Sequence, residues 1–260
     1  MSSTGDGQEG IVHAGTHETA PAVKLAPTPT PVFGMAVSPT TLIPKVTSFV
    51  EKYMSKYDGS HDFNHIKRVV GLAHLIYKKL KEEDPLNTEE LDINVITLAA
   101  LLHDVGDKKY LNQGQDGKVL VLETLLGFGA QEDLATRVQD IVVGVSYSAE
   151  IKDPAKVQAM ILKYPELAIV QDADRLDAIG AVGIGRTFTF GGAKGGRHMG
   201  ESIQHFEEKL EKLEAMMKTV PGRGFAKERT EKLKTFKHWW EEEEMQSREY
   251  FAGADNRNTE

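Results

Sequence analysis

The sequence predicts an all-α protein built as a single helical bundle. From about residue 40 onward, apolar side chains recur at intervals of three and four residues, the spacing of one helix face. The stretch Val95–Leu102 is apolar or small at every position, so a helix there has no polar face and must be enclosed by other helices. The brief apolar run Ile141–Val145, the nearest approach to a strand, fits a helix equally well.

Composition limits the class of protein. The chain has 260 residues, no cysteine and a formal net charge of −8. Disulfides, thiolate nucleophiles and cysteine zinc sites are therefore excluded, and the negative charge disfavours a duplex nucleic-acid partner. No apolar run approaches the roughly 18 residues that span a bilayer, and no signal peptide is visible. We expect a cytoplasmic protein without a membrane partner, and we leave a homodimer open.

The chain is expected to contain one folded domain with an irregular tail. Residues 1–38 are rich in glycine, threonine and alanine, and Pro27-Thr-Pro-Thr-Pro31 denies the backbone regular hydrogen bonds. We predict that this segment is disordered. The domain is predicted over residues 39–250, and residues 251–260 are expected to fray.

The first two helices are separated by a polar turn. The first is predicted to begin at residue 40 or 41 and to end at Asp58 and Gly59. Ser60 is predicted to cap the second helix, with Asp62 in the positive first turn. Pro85 ends the second helix.

Two histidines and an arginine share one face of that second helix. His61, His65 and Arg68 follow one another at steps of four and three residues, which brings their side chains together. Either both histidines bind one metal ion, or one is a ligand while its neighbour acts on the substrate. The spacing is compatible with both alternatives.

His103 and Asp104 lie at the end of the central helix, predicted from about Thr88 to Val105. An imidazole and a carboxylate at the foot of a buried helix cost free energy unless something neutralises them, and a divalent cation would do so. Adjacent side chains point about 100° apart, so both reach one ion only beyond the helix end, where Gly106 turns the chain. The alternative is a helix that merely ends in polar residues.

The next segments are predicted to be scaffold. A polar loop is followed by three helices, predicted at residues 119–126, from Gln131 to about Ser148, and between Pro154 and Pro165.

Three aspartates interrupt the apolar stretch that follows. Asp172, Asp174 and Asp177 lie within six residues, and the last two share a helix face. Carboxylates so close together repel one another unless a cation or base is near. The alternative is an acidic first turn favoured by the helix dipole, but that does not explain aspartates in the middle of the run.

A glycine-rich basic segment, Gly191–His198, is predicted to be a mobile loop. It lacks the pattern of a P-loop. It is either a flexible connector or a lid whose Lys194, Arg197 or His198 neutralises substrate phosphates. An amphipathic helix follows, and Pro221–Gly224 is predicted to separate it from a final helix.

The candidate ligands form one set. His65, His103, Asp104 and Asp174 supply two imidazoles and two carboxylates, whose charge of −2 matches a divalent cation. Four positions of an octahedron leave two for water or phosphate. Mn²⁺, Mg²⁺, Fe²⁺, Co²⁺ and Ni²⁺ are all admissible, whereas a tetrahedral Zn²⁺ would be closed by the same four ligands.

This ordered pattern resembles the HD-domain phosphohydrolase superfamily over roughly residues 40–250. The resemblance is carried by His65-Ile-Lys-Arg68-Val, by Leu101-Leu-His103-Asp104-Val-Gly and by Asp172-Ala-Asp174-Arg-Leu-Asp177-Ala. Further similarity is to the branch that includes manganese-dependent nucleoside triphosphate pyrophosphohydrolases. The resemblance implies an all-helical fold, the four metal ligands named above and one divalent ion, Mn²⁺ in the first place. It favours His65 over His61 as ligand, because His65 precedes x-x-Arg-Val.

The implied reaction is the hydrolysis of (deoxy)nucleoside triphosphates to monophosphate and pyrophosphate by a metal-activated water. Asp107 and His61 are the candidates for moving protons. Phosphate is expected to bind Arg68 and the basic side chains of Lys108, Lys109, Lys194, Arg197 and His198. Asp177 is expected to orient a ligand or to pair with Arg175 or Arg186.

Two alternatives stay open. The same site could serve a phosphomonoesterase or a phosphodiesterase, and a nucleotide sensor could bind without turnover. The identity of the reaction products separates them.

Overall fold

The computed structural model describes residues 37–107, 111, 116–193 and 197–255, with the backbone alone for 249–255. Those residues form eleven α-helices and no strand, which confirms the all-α prediction. The helices are α1 Pro39–Met54, α2 Phe63–Glu83, α3 Ile93–Leu102, α4 Leu120–Gly127, α5 Glu132–Val145, α6 Tyr147–Lys152, α7 Pro154–Lys163, α8 Glu166–Asp177, α9 Gly180–Ala193, α10 Met199–His205 and α11 Val220–Asp255. A 3-10 turn, Leu86–Thr88, precedes α3, and a π-helical turn and a 3-10 helix carry the chain from α10 to Met216.

Helix α3 lies at the centre of the bundle. All eight residues from Val95 to Leu102 are buried, as the apolar sequence predicts. Helices α1, α2, α5 and α8 pack around α3, and α2 also packs directly against α8. This arrangement brings the start of α2, the end of α3 and the last two turns of α8 to one place.

The second helix begins later than predicted. Asp62, and not Ser60, is the N-cap: its side chain accepts a hydrogen bond from the His65 backbone N–H at 3.1 Å. Ser60 instead has its hydroxyl bonded to Asp58. His61 therefore precedes α2. The prediction that His61, His65 and Arg68 share one helix face is correct only for His65 and Arg68.

The central helix is shorter than predicted. The polar stretch after Pro85 has no apolar stripe to bury, and the chain there forms the short 3-10 turn. Asp92 caps α3 by accepting from the Asn94 backbone N–H at 2.7 Å. The Asp92 N–H in turn donates to Glu166 at the start of α8, at 3.1 Å. Helix α5 also ends early, at Val145, and Ser146 caps α6.

Helices α8 and α9 are joined at Gly180, whose φ is +74°. A Cβ at Gly180 would lie 3.0 Å from the Arg229 side chain on α11, so glycine is required by backbone and by space. The predicted loop from Gly191 begins too early, because Gly191–Ala193 completes α9. The missing Cβ of Gly191 allows α9 to approach Ser202 of α10 closely.

The predicted break at Pro221–Gly224 is wrong, because these residues form the first turn of α11. A proline is tolerated there, since its missing N–H would have no partner in the helix. Buried Asp172 of α8 holds this helix start: its carboxylate accepts from the backbone N–H groups of Lys218 and Thr219, each at 2.8 Å.

The domain limits, residues 39 and 250, stay a prediction, and some described features lie just outside them. The Val37 N–H donates to the Gly129 carbonyl at 3.0 Å, and Ser38 is the N-cap of α1. At the other end, α11 passes residue 250 and continues to Asp255. In the described ranges, no helix combines the length and the apolar character that a bilayer span needs.

Gly222 and Gly224 give a matched test of the contact between α8 and α11. A Cβ at Gly222 would lie 2.2 Å from Oδ2 of Asp172, whereas one at Gly224 would meet nothing within 4 Å. We expect Gly222→Ala to lower the free energy of unfolding by about 2 kcal/mol through overpacking. Gly224→Ala is expected to raise it by up to about 1 kcal/mol through helix propensity. Urea denaturation measures both, and equal stabilities would contradict the described contact.

Candidate metal centre

Four predicted side chains converge where α2, α3 and α8 meet. His65 lies in the first turn of α2, His103 directly follows α3, and Asp104 is the next residue. Asp174 lies in the last turn of α8. The early end of α3 matters here, because the chain turns at His103 and lets adjacent side chains approach one point.

The four ligand atoms are close to one another. Nε2 of His65 and Nε2 of His103 are 3.0 Å apart. Oδ2 of Asp104 lies 3.4 Å from the first nitrogen and 3.6 Å from the second. Oδ1 of Asp174 lies 3.6 Å from each nitrogen. The group of His65, His103 and Asp104 could hold a metal ion, and Asp174 adds a fourth oxygen.

Each imidazole is oriented by a hydrogen bond from its other nitrogen. Nδ1 of His65 donates to Oδ2 of Asp177 at 2.7 Å, and Nδ1 of His103 donates to the carbonyl oxygen of Ala100 at 2.8 Å. A histidine that binds a metal ion must be neutral, and a neutral imidazole has one N–H, so in the metal-binding state both Nε2 atoms present a lone pair. Two lone pairs at 3.0 Å repel unless a cation lies beside them. Such an arrangement is typical of metal-binding histidines.

Asp104 supplies the second sign that the donors fit a cation. Its Oδ2 is buried and accepts no hydrogen bond, although buried carboxylate oxygens are normally satisfied. Burial opposes a charged carboxylate, but the charge of His103 and the contact with His65 outweigh burial and hold the pKa of Asp104 well below its usual range. The oxygen therefore stays negative and available to a positive partner.

The two carboxylates of the centre favour positive charge at His103. Burial of His103 opposes protonation, yet the carboxylates of Asp104 and Asp174 raise the pKa of His103 to about 9. The Asp174 side chain is 33% exposed, while those of both histidines are 1% exposed. The centre is thus dry on the histidine side and open to solvent at Asp174, where a substrate could approach.

The carboxylate of Asp177, on the Nδ1 side of His65, accepts hydrogen bonds from three side chains. Besides His65, its carboxylate accepts from Nε of Arg68 at 2.7 Å and from Nη1 of Arg186 at 3.1 Å. Burial would raise the pKa of Asp177, but these bonds lower it below its usual value. The structure thus pairs Asp177 with Arg186, while Arg175 pairs with Glu150 on the other side of α8.

The other predicted site residues are distributed differently. Arg68 is held by Asp177, so a phosphate contact of Arg68 stays a prediction. Asp107 lies three residues beyond Asp104, and its N–H contacts the Asp104 carbonyl at 3.4 Å. The His61 ring lies 6.0 Å from the His65 ring, centroid to centroid.

The predicted phosphate-binding side chains are only partly described. Lys108, Lys109 and Lys194 lie outside the described residues. Arg197 and His198 are exposed at the surface. The His198 backbone N–H donates to Glu201 at the start of α10, and Arg197 lies against Gly191. Their roles remain predictions.

Sequence reasoning missed two supporting groups. The Ala100 carbonyl that orients His103 is a main-chain atom and leaves no signature in the residue types. Ser60 was predicted as a helix cap, but its backbone carbonyl accepts from Nε of Arg186 at 2.8 Å. The position of Ser60 beside His61 was the only available signal.

Comparisons with known proteins cover the same region. Residues 62–179 match the family model of the HD domain. The uncharacterized protein YpgQ of Bacillus subtilis (strain 168) is 36% identical over 188 residues, which cover 71% of this chain and 85% of YpgQ.

Two solved structures are similar in fold and sequence. The crystal structure of Bacillus subtilis YpgQ in complex with ADP has a TM-score of 0.61 and 31% identity, covering 80% of this chain and 97% of that chain. An HD-superfamily hydrolase from Bacillus thuringiensis has a TM-score of 0.57 and 31% identity, covering 79% of this chain and 98% of that chain.

The support that Asp177 gives to His65 can be tested by one isosteric change. Asp177→Asn removes the negative charge between His65 and the two arginines, so the imidazole loses its fixed orientation. We expect the affinity for Mn²⁺ to fall by about 10- to 100-fold, measured by calorimetric titration of metal-free protein. The exposed Asp133→Asn on α5 is the control. Equal affinities in both variants would contradict this role of Asp177.

Proposed function

The chain belongs to the HD domain family and is a metal-dependent hydrolase, and from this premise we propose that it cleaves nucleoside triphosphates to nucleoside monophosphate and pyrophosphate. We propose further that His65, His103, Asp104 and Asp174 hold the metal ion. The observation that carries the proposal is the convergence of four ligand atoms, one of which is a buried carboxylate oxygen of Asp104 that has no hydrogen-bond partner.

The donor set fits a divalent ion that retains open coordination positions. Two imidazole nitrogens and two carboxylate oxygens suit Mn²⁺, Fe²⁺ or Co²⁺, and also Mg²⁺ or Ni²⁺. We propose Mn²⁺ as the native ion. When bound, such an ion supplies two effects: it lowers the pKa of a water molecule and neutralises charge on phosphate oxygens.

The protein's own residues then have separable roles. His65 is kept in one orientation by Asp177, and His103 by the Ala100 carbonyl. Arg68 and Arg186 neutralise Asp177, so that its charge does not repel an anionic substrate.

Proton movement and phosphate binding are also part of the proposal. We propose that Asp107 accepts a proton from the attacking water and that His61 donates one to the leaving group. We propose that basic side chains bind the remaining phosphates. These are Lys108, Lys109, Lys194, Arg197 and His198.

The relative that was crystallised with ADP supports a nucleotide as substrate. ADP contains a base, a sugar and a phosphoanhydride, the same three parts as a nucleoside triphosphate. YpgQ binds it, and this chain aligns with nearly all of that structure. The exposure of Asp174 gives a polyphosphate access to the metal ion from solvent.

The ligand assignment predicts a joint loss of metal and activity. We expect His103→Ala or Asp104→Ala to reduce both Mn²⁺ content and hydrolysis by more than about 100-fold, because losing even an outer partner of a ligand costs about 10- to 100-fold. Helix content by circular dichroism should be unchanged. His238→Ala, on the exposed face of α11, is the matched control. Wild-type activity in either site variant would refute the assignment.

Product analysis tests the reaction itself. Wild-type protein freed of metal and then supplied with Mn²⁺ should convert a nucleoside triphosphate to monophosphate and pyrophosphate, and faster than protein supplied with Zn²⁺, whose tetrahedral site the four ligands would close. Chromatography of the nucleotides and an assay for pyrophosphate identify the products. Release of phosphate or triphosphate would indicate a different phosphohydrolase. Intact nucleotide after long incubation would indicate a sensor.

A further inference from the structure

We propose that Ser60 and Asp58 are positioning residues, which fix the His61 ring through a hydrogen-bonded chain running from the Asp58 carboxylate through the Ser60 hydroxyl to Nδ1 of His61. This inference deepens the proposed function, because it concerns the side chain that we place beside the metal centre. The contacts themselves are independent of that function.

The chain of contacts is short and directional. The Ser60 hydroxyl donates to Oδ1 of Asp58, and Nδ1 of His61 lies 2.7 Å from the same hydroxyl oxygen. The Ser60 backbone N–H also donates to Oδ1 of Asp58, at 3.0 Å. Ser60 is 1% exposed, so water has little access to its hydroxyl.

The donor pattern decides the state of the His61 ring. A carboxylate has no hydrogen to donate, so the single proton of the Ser60 hydroxyl is directed to Asp58. The hydroxyl oxygen must then accept from His61, which places an N–H on Nδ1. A proton donated from His61 must therefore leave from Nε2, at the opposite edge from Ser60, and the neutral ring that remains keeps its N–H on Nδ1 and a lone pair on Nε2.

Two aromatic neighbours restrict the same ring. The His61 ring packs edge to face against the His65 ring at 6.0 Å and against the Phe190 ring at 5.8 Å. The Ser60 hydroxyl thus sets the rotation of a ring that is already confined. In a triad, a third group likewise orients the side chain that exchanges a proton with the reacting groups.

Arg186 connects this chain of contacts to the metal centre. Its Nε donates to the Ser60 carbonyl at 2.8 Å, and its Nη1 pairs with Asp177 at 3.1 Å. Asp177 in turn orients His65 at 2.7 Å. One guanidinium on α9 therefore fixes the positions of the segments that carry both histidines.

The first test compares Ser60→Ala with Ser60→Thr, which keeps the hydroxyl. We expect Ser60→Ala to lower kcat for a nucleoside triphosphate with Mn²⁺ by about 10- to 100-fold, with KM and Mn²⁺ content within about twofold of wild type. Ser60→Thr should restore kcat to within about threefold. Asp58→Ala frees the Ser60 hydroxyl to rotate and should lower kcat by about three- to tenfold. This variant replaces Ser60→Ala in the test if Ser60→Ala does not fold.

The control is Ser55→Ala, an exposed serine whose hydroxyl donates to the Lys52 carbonyl near the end of α1. It should retain the wild-type kcat. Wild-type kcat in Ser60→Ala, or an equal loss in Ser60→Ala and Ser60→Thr, would overturn the proposal. Loss of Mn²⁺ together with kcat would assign Ser60 to the structure of the metal centre instead and would also overturn it.

A second test does not depend on turnover. Nitrogen NMR of Mg²⁺-loaded protein, with the His61 signals assigned by comparison with His61→Gln, should show the proton on Nδ1 in wild type and a mixture of tautomers in Ser60→Ala. A proton on Nε2 in wild type would overturn the proposal. If the Nδ1 tautomer is present but no nucleoside triphosphate is hydrolysed, the proposed substrate fails and the positioning contact stands.

Discussion

The carboxylate of Asp177 is the contact on which the candidate site depends. It is buried between α2, α8 and α9, where it accepts hydrogen bonds from His65, Arg68 and Arg186. A buried carboxylate without partners would cost several kcal/mol, and breaking such an ion pair typically costs about 3 to 5 kcal/mol. The same contacts that make the charge tolerable also fix the His65 ring. One group thus contributes both to the packing of α2, α8 and α9 and to the geometry of the site.

Helix α8 distributes its charged residues to two sides. Asp174 and Asp177 face the centre shared with α2 and α3, while Asp172 holds the start of α11 and Arg175 pairs with Glu150. Among the described residues, several buried polar atoms have no hydrogen-bond partner, including Oε2 of Glu166 and Nε of Arg175, but Oδ2 of Asp104 is the one that belongs to the group of metal-ligand atoms. That oxygen lies where the sequence motifs of the family meet, which is where unsatisfied charge is compatible with a bound cation.

Much of the fold and the core of the site could be predicted from the sequence. Helical spacing predicted the bundle, and the apolar run at Val95–Leu102 predicted the central helix, because burial requires apolar side chains at known intervals. Three separated motifs predicted that His65, His103, Asp104 and Asp174 belong together. Helix ends were predicted less well: Asp62 replaced Ser60 as a cap, and Pro221 opened a helix instead of breaking it. Such outcomes depend on tertiary partners, as with Asp172 at the start of α11, and spacing along one chain does not contain them.

The two central histidines are supported by different kinds of atom. His103 takes its orientation from the Ala100 main chain, and any residue that keeps α3 helical at that position presents the same carbonyl. His65 relies on one particular carboxylate, whose replacement would leave two guanidinium groups facing each other. The position that orients His103 and the position that orients His65 are therefore expected to differ in how many substitutions they accept. Substitutions of suitable size can accumulate beneath His103, whereas Asp177, Arg68 and Arg186 are constrained to change as a group.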